Sequence, residues 1–411
     1  MIMVKVSLSK CPKRYFAGTH RALDPEETLS LIEPKIKTIG VTRISDITGL
    51  DRVGIPIYSC VRPRAAEGAV SVYSGKGITD TLAKISAIME AIERYSAEVR
   101  PQDEDMMIKG SYKELSARYS VLDPTTLILP NLSSYDRSSI LRWIRGYDLV
   151  QGEDVLVPVS AVFHPYNPKG DLHLFRTNTN GLASGNTIEE AILHGLMEVV
   201  ERDAWSIAEL SRNGGKIIEV PSKYKLVREL MEKFERASIE VYLRDITSDI
   251  GIPTIAAVSD DVLLKDPALL TIGFGSHLDP EIAAIRALLE VAQSRLVQIQ
   301  GAREDTHRAN LMRMIGYERI KRINKHWFSK SDEVIKLSEL PHLARDDILD
   351  EILLVVDVLR RRGFDRVVVV NLTRPEISIP TVRVIVPGLE VYAVDQDRIG
   401  PRGRACLKSR R

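Results

Sequence analysis

Two segments of the chain carry the same pattern of two glutamates, one helical turn apart, followed by an arginine. The repeated residues are Glu90, Glu93 and Arg94 in the first copy and Glu198, Glu201 and Arg202 in the second. Carboxylates are suitable ligands for Mg²⁺, a hard cation that keeps several waters and binds through few carboxylates plus substrate phosphates. The planar guanidinium fork binds phosphate oxygens. Two such helices facing each other would form a site for a nucleoside triphosphate with more than one Mg²⁺.

A surface ion pair is the alternative interpretation of this pattern. A lone E-x-x-E-R run is usually an ion pair on a wet helix face, which contributes only about 0.2–0.5 kcal/mol. Here, however, the whole segments Gly77 to Arg94 and Gly185 to Arg202 align without a gap, including their glycine, threonine and alanine positions. This recurrence favours a shared functional site over a chance surface pair.

A third, weaker copy follows in the segment Asp279 to Arg295. Glu290 stands where Glu90 stands in the first copy, whereas Gln293 and Ser294 replace the second glutamate and the arginine. The third segment therefore lacks the metal-binding pattern. We expect Glu290 to contact a nucleotide rather than to complete a metal site.

The elements that must position these residues are three helices, each with its own start signal. Thr79 precedes the first, Thr187 with Glu190 three residues on predicts a capping box for the second, and Asp279 followed by Pro280 starts the third. Small residues share the face of the glutamates at helical spacing, namely Ala83, Ser86 and Ala87 in the first copy and Ala191 and Gly195 in the second. They predict that something approaches these helices closely.

Common signatures of other enzyme classes are missing. Gly75, Lys76 and Gly77 do not form a P-loop frame, Gly273 with Gly275 lacks the third glycine of a dinucleotide fingerprint, and there is no G-x-S-x-G or H-E-x-x-H motif. His194, inside the second repeat, is interpreted as a packed histidine rather than a base. The basic segment from Lys13 to Arg21 fits a loop closing over phosphates and a solvated turn equally well.

Composition places the chain among ordinary globular proteins. Its 411 residues are 44% hydrophobic and 27% charged with a formal net charge of +1, so no global field recruits nucleic acid or anionic membrane. Three scattered cysteines form neither a zinc pattern nor a disulfide framework, and no apolar run is long enough to span a membrane, which leads us to expect a cytoplasmic protein. Strand-like runs alternate with helical patterns, so the predicted fold class is α+β with mixed sheets and packed helices.

Several motifs, in order along nearly the whole chain, resemble the YcaO family. They are TRISDITGLDRVGIPIYSCVRP (Thr42 to Pro63), NGLASGNTIEEAILHGLMEVVERDA (Asn180 to Ala204), RDITSDIGIP (Arg244 to Pro253), AAIRALLEVAQSR (Ala283 to Arg295) and RVIVPGLE (Arg383 to Glu390). The resemblance implies a YcaO-type ATP-binding fold with internal helix repeats and an ATP- and Mg²⁺-dependent enzyme. Such an enzyme adds a nucleophile to a peptide amide and phosphorylates the resulting oxyanion, after which phosphate leaves.

The resemblance also assigns roles to residues of this chain. It implies that Glu90, Glu93, Glu198 and Glu201 hold Mg²⁺, that Arg94 and Arg202 bind the phosphates, and that Lys13, Asn186, Glu190 and Glu290 complete the nucleotide pocket. Arg286, beside that pocket, would face the peptide and act with Glu290 in catalysis. One departure is Ala183, where some members place a serine against the nucleotide, which leaves Ser184 as a substitute.

Three functions remain open within this resemblance. The lack of a Pro-x-Pro-x-Pro end, together with GTHR (Gly18 to Arg21) and PEET (Pro25 to Thr28), is similar to standalone archaeal members. That branch implies a peptide thioamide synthetase, with external sulfide, a TfuA-like partner and a glycine of the α subunit of methyl-coenzyme M reductase as substrate. The alternatives are an azoline-forming cyclodehydratase and a non-catalytic ATP-binding accessory protein of thiolation.

The expected organisation is one catalytic domain over residues 1–411. It includes a short N-terminal phosphate-side segment, residues 1–40, and a basic tail, residues 400–411, which we expect to be frayed and solvated because it shows no hydrophobic pattern. Family resemblance further suggests a homodimer.

Overall fold

Helices and strands of the computed structural model, which describes residues 6–168, 170–303, 308–329 and 333–409, form mixed layers. The helices are α1 (Pro25–Ile32), α2 (Asp80–Ala97), α3 (Pro101–Glu104), α4 (Tyr112–Leu115), α5 (Ile188–Ser211), α6 (Lys225–Arg236), α7 (Pro280–Gln300), α8 (Arg308–Ile315), α9 (Tyr317–Ile323), α10 (Lys325–Phe328), α11 (Ile348–Arg361) and α12 (Pro401–Ser409). The strands are β1 (Arg43–Asp46), β2 (Ile57–Val61), β3 (Val72–Lys76), β4 (Ile108–Ser111), β5 (Ile140–Asp148), β6 (Glu153–Pro158), β7 (Leu182–Ser184), β8 (Lys216–Glu219), β9 (Glu240–Asp245), β10 (Thr254–Asp260), β11 (Thr271–Ser276), β12 (Val334–Lys336), β13 (Val368–Asn371) and β14 (Thr381–Ile385).

Within the described residues the strands form three sheets. The first has the order β1-β2-β3, the second β11-β10-β9-β8-β12, and the third β4-β5-β13-β14-β7 with β6 paired to β5. Their pairings are antiparallel except for the parallel pair β8 and β12. Mixed helices and sheets confirm the predicted α+β class.

Each of the three repeat segments is a strand followed by a short turn and a long helix. β3 leads into α2, β7 into α5, and β11 into α7. Because the three strands belong to three different sheets, each repeat helix is attached to a sheet of its own. The predicted repeat is therefore confirmed as a structural unit used three times.

The small residues of the repeat helices let the preceding strand approach. A side-chain carbon on Gly75 would lie 2.2 Å from the carbonyl oxygen of Ala83 and 2.0 Å from the amide nitrogen of Ala87, which only glycine avoids. Gly275 has the same relation to Ala283 in the third repeat, at 2.2 Å. The close approach predicted from these alanines is thus made by the strand, and Ser86 alone of the first set lines the cleft described below.

The helix starts agree with the sequence except at one side chain. Thr79 accepts a hydrogen bond from the amide of Leu82, and Asp279 accepts one from the amide of Glu281 with Pro280 at the first helical position. Thr187 accepts from the amide of Glu190 at 3.1 Å, as a cap should. The predicted capping box is wrong, because the Glu190 carboxylate does not accept from the amide of Thr187. It accepts from the amide of Ala22 and the side chain of Asn186 instead.

Separate cores hold the three repeat helices. Helix α5 buries Ile192, Leu196 and Val200 against α11 and the strands β13 and β14, whereas α7 packs with α6 on the second sheet and α2 packs on the first. Full burial of one such aliphatic side chain contributes about 1.5–3 kcal/mol. The faces left uncovered by these cores point toward the space between the helices.

The expectation of a frayed basic tail is wrong for residues 401–409, which form α12; residues 410–411, like residues 1–5 of the N-terminal segment, lie outside the described residues. Arg402 forms ion pairs with Asp203 of α5 and with Asp249. The Glu390 carboxylate accepts from the amides of Gly400 and Gly403 at 2.8 and 2.7 Å, which satisfies the first turn of α12. Buried carboxylates, which the tail's own pattern does not reveal, therefore order it.

No described helix is long and apolar enough to cross a membrane.

Candidate active site

A cleft of about 330 Å³ lies where α2, α5 and α7 meet, within the size range of about 300–1,000 Å³ typical of small-molecule sites. Its charged lining residues are the acids Glu90, Glu93, Glu190, Glu198, Glu201 and Glu290 and the bases Arg21, Lys76, Arg94, Arg202 and Arg286. Both copies of the glutamate–glutamate–arginine pattern thus line one cleft. This is the juxtaposition that the repeat predicted.

On the α2 side, the carboxylates are held by backbone amides of neighbouring strands. Glu90 accepts from the amide of Ser74 at 3.3 Å and pairs with Arg94 at 3.2 Å. Glu93 accepts from both the amide and the hydroxyl of Ser184, at 2.9 and 2.8 Å. Ser184, the predicted substitute for the family serine, therefore orients a carboxylate in the cleft.

On the α5 side, Glu201 accepts from the amide of Ser276 at 3.2 Å and lies 3.6 Å from the guanidinium of Arg202. Glu198, one turn earlier, has no hydrogen bond or ion pair within the described part of the chain. The Glu198 side chain is half-buried and lines the cleft, so its carboxylate is available to a cation that enters the cleft.

Burial raises the pKa of three of these carboxyls. For Glu93 burial is the main cause, opposed by the Ser184 hydrogen bonds and reinforced by Glu198 and Glu90, and its pKa rises to about 8. Burial likewise raises the pKa of Glu198 and of Glu201, against the attraction of Arg202. A bound divalent cation would stabilise the ionised forms of all three.

The carboxylates of the cleft suit a Mg²⁺ ion that is also bound to phosphate. No three carboxylate, imidazole or thiol groups of the described residues converge closely enough to enclose a metal by themselves. Mg²⁺ completes an octahedron with waters and substrate phosphates and needs only one or two protein carboxylates. Glu90, Glu93, Glu198 and Glu201 could thus hold Mg²⁺ together with a polyphosphate.

On the α7 side, Glu290 pairs with Lys76 of β3 at 3.1 Å. Burial opposes its ionisation, but Lys76, Arg202 and Arg286 outweigh burial and lower the pKa of Glu290. Glu290 is therefore an ionised acceptor beside the other carboxylates. The Gln293 side chain, which replaces the second glutamate of the pattern, donates to the carbonyl of Ser74 and so ties α7 to β3.

The turn before α5 and the N-terminal segment close the cleft. Asn186 donates to both oxygens of Glu190 at 3.2 Å, and Arg21 lies 3.5 Å from the same carboxylate. Asn186 and Glu190 thus both line the cleft, and their contact with a nucleotide stays a prediction. Of the basic N-terminal segment, Gly18, Thr19 and Arg21 line the cleft, in agreement with a loop that covers phosphates.

Lys13 is the predicted nucleotide-binding residue that the structure does not bring to the cleft. Its ammonium pairs with Glu351 of α11 at 2.6 Å, and both side chains are essentially inaccessible. It also lies 3.0 Å from Nδ1 of His20. Because a buried ion pair already satisfies this ammonium, Lys13 anchors the N-terminal segment to α11 rather than lining the cleft.

Replacing Lys13 by methionine is expected to lower the free energy of unfolding by about 3–5 kcal/mol, since it leaves Glu351 buried without its cation. We further expect the folded variant to bind Mg·ATP like the parent. Urea unfolding and calorimetric titration measure the two quantities. The matched control is Lys10→Met, which removes an exposed partner of Asp350 and should change neither. Lost nucleotide affinity with unchanged stability would instead place Lys13 on the phosphates.

Sequence reasoning did not assign two titratable residues to the cleft, Lys76 and His194. Lys76 does not belong to a P-loop, but its place three residues before Thr79, the cap of α2, predicts that it lies at the entrance of that helix. His194 was interpreted as packed, yet it lines the cleft. The available signal was its spacing, since His194 stands four residues after Glu190 and four before Glu198 on one helix face.

Comparison with known proteins identifies a family over most of the chain. The family model described as YcaO cyclodehydratase, ATP- and Mg²⁺-binding, matches residues 74–390. An uncharacterized protein of Methanothermobacter thermautotrophicus is 52% identical over 94% of this chain and 99% of its own length. A Rhizobium leguminosarum bv. trifolii protein, described only as lying in the tfuA 3′ region, is 34% identical over 92% of this chain and 91% of its own.

Among solved structures, the YcaO of Methanopyrus kandleri bound with AMPPCP and Mg²⁺ is similar over nearly the whole fold. Its TM-score is 0.78 at 30% identity, covering 96% of this chain and 98% of that chain. Both the fold and the family resemblance drawn from the sequence are thereby confirmed.

Proposed function

The chain belongs to the YcaO family of ATP-dependent enzymes, and we propose that it converts a peptide backbone amide into a thioamide with Mg·ATP and sulfide. The observation that carries this proposal is the cleft itself, in which both glutamate pairs and both arginines of the repeat meet beside an arginine without a carboxylate partner among the described residues.

The proposed reaction exchanges one oxygen for one sulfur. Sulfide forms a bond to the amide carbon, which places negative charge on the former carbonyl oxygen. That oxygen accepts the terminal phosphoryl group of ATP, and its bond to carbon then breaks as phosphate departs. The carbon keeps sulfur and nitrogen, so the products are a thioamide, ADP and phosphate. No oxidant or reductant is required.

Residues of the chain supply binding and charge rather than covalent chemistry. Bound Mg·ATP would supply the phosphoryl group, with metal neutralising charge during its transfer. Glu90, Glu93, Glu198 and Glu201 would hold the metal, while Arg94 and Arg202 would hold phosphate oxygens. Asn186 and Glu190 would complete the nucleotide wall with Ser184 behind them, and Glu290 would contact the nucleotide beside Lys76.

Two observations favour sulfur transfer over azoline formation. The relative in a tfuA region is similar over nearly its whole length, and TfuA-like proteins are the partners expected for thioamidation. In addition, residues between Gly18 and Gln293 form the cleft wall, whereas α12 pairs with Asp203 of α5, so this helix does not cover the cleft against external sulfide.

The substrate that we propose is a glycine of the α subunit of methyl-coenzyme M reductase, since the 52% identical relative comes from a methanogen. We further propose that the active form is a homodimer and that a TfuA-like protein delivers the sulfur. Cys11 and Cys60 do not suit a persulfide carrier, because both are buried and burial raises the pKa of each thiol.

Incubating the protein with Mg·ATP, sulfide and a glycine-containing peptide from the reductase is expected to raise the peptide mass by the difference between sulfur and oxygen. Mass spectrometry and phosphate release are followed together, with and without a TfuA-like protein. The matched control is Glu201→Gln, which should give neither product.

Each alternative function predicts a different result of the same assay. Loss of one water from a peptide that contains Cys, Ser or Thr, without sulfide, would identify a cyclodehydratase. Binding of Mg·ATP without peptide-stimulated phosphate release would identify an accessory protein.

A further inference from the structure

His194 lines the cleft but has no role in the proposed reaction as described above. It lies on α5 between Glu190 and Glu198, one turn from each, and its ring faces the same space as their carboxylates. Its Nε2 is 3.3 Å from Nη2 of Arg286 on α7. The imidazole therefore joins two of the helices that form the cleft.

The partner of this contact determines the protonation of the ring. A guanidinium can only donate, so Nε2 of His194 must carry a lone pair and the remaining proton must sit on Nδ1. The backbone of Ser184 lies near the ring and favours a proton on it. Burial, with Arg286 and Arg21 nearby, lowers the pKa of His194 well below its usual range, so the ring is neutral.

Ser184 extends this contact to the opposite helix. Its amide and hydroxyl donate to Glu93 of α2, and its backbone lies near the His194 ring that contacts Arg286. The position of the Arg286 guanidinium is therefore fixed relative to the Glu93 carboxylate on the opposite side of the cleft. A displacement of about 1 Å in such an arrangement can lower a rate 10²-fold.

A neutral partner also leaves the charge of Arg286 intact. Within the described residues, His194 is the only hydrogen-bond partner of Arg286, and no carboxylate pairs with it. A carboxylate in the place of His194 would orient the guanidinium but would also neutralise it. A neutral imidazole orients it while its full charge and remaining N–H groups stay available for a developing oxyanion.

We propose that His194 is the positioning residue of Arg286: as the Nδ1–H tautomer it spans Ser184 and Arg286 and holds the guanidinium toward the amide oxygen. The catalytic effect of this positioning rests on the proposed function, which is amide activation. The contact between His194 and Arg286 does not depend on which nucleophile attacks the amide.

The first test reads the tautomer directly. Nitrogen-15 NMR of the full-length protein, labelled at histidine and assigned by comparison with His194→Gln, is expected to show protonated Nδ1 and unprotonated Nε2 for His194. An Nε2–H tautomer or an imidazolium would overturn the proposal. This measurement stands even if no thioamide forms.

The second test separates positioning from binding. His194→Leu is expected to lower peptide-stimulated phosphate release about 10- to 100-fold, with Mg·ATP affinity near that of the parent. His194→Gln, whose amide oxygen can still accept from Arg286, should recover most of the loss, while His194→Asn, which reaches only Ser184, should not. The exposed His173→Gln serves as the unaffected control.

Equal activity of the Leu and Gln variants, or lost nucleotide affinity in both, would overturn the positioning role. Absence of sulfur incorporation by the parent protein would instead contradict the proposed thioamidation, so the two failures are distinguishable.

Discussion

Replacing Glu201 by glutamine is expected to weaken Mg·ATP binding by about 100-fold or more while the fold survives, since even an outer-shell change costs about 10- to 100-fold in metal affinity. Glutamine keeps the size and helix propensity of the side chain, and its oxygen can still accept from the amide of Ser276. It removes only the charge that Mg²⁺ requires. Calorimetric titration with AMPPCP, at several Mg²⁺ concentrations, measures the loss.

Glu93→Gln tests the same site from the opposite helix and should have a similar effect, because Ser184 can still donate to the amide oxygen. The matched control is Glu209→Gln on α5, whose carboxylate accepts from Trp327 at 2.8 Å, away from the residues that line the cleft. If both cleft variants bind Mg·ATP like the parent, the two glutamate patterns are surface ion pairs and not a metal site.

Replacing Arg286 by alanine is expected to lower turnover about 10²- to 10³-fold, the range for loss of one donor to a developing oxyanion. Mg·ATP affinity should change little, because the predicted phosphate ligands Arg94 and Arg202 remain. Titration with AMPPCP and steady-state phosphate release with peptide separate the two quantities.

Arg94→Ala provides the reciprocal variant, since it removes a guanidinium from the Glu90 side of the cleft and should impair nucleotide binding first. Equal losses of turnover and affinity in Arg286→Ala would place Arg286 on the phosphates and not at the acceptor amide.

The repeat was predictable because its signals are local. Thr79, Thr187 and Asp279 start three helices by capping, and helical periodicity alone puts each glutamate pair and its arginine on one face. That two of these faces meet in one cleft was a hypothesis drawn from the repetition, and the structure supports it.

What the sequence could not show depends on contacts between distant segments. The second and third sheets depend on pairings between strands far apart in the chain, namely β8 with β12, β5 with β13 and β7 with β14, which no window of residues contains. The Lys13–Glu351 pair joins positions 338 residues apart. Helix α12 is ordered by Asp203 and Glu390, and the role of His194 depends on Arg286, 92 residues later. In each case the deciding partner lies outside the local pattern.

The attachment of α2, α5 and α7 to three separate cores has a thermodynamic consequence. A ligand that contacts all three walls binds only the state in which all three cores are folded, so its binding energy stabilises the chain as one cooperative unit. Hydrogen exchange of backbone amides should therefore slow in all three cores when Mg·ATP is added, and not merely around the cleft. Nucleotide would also raise the melting temperature of regions that never touch it.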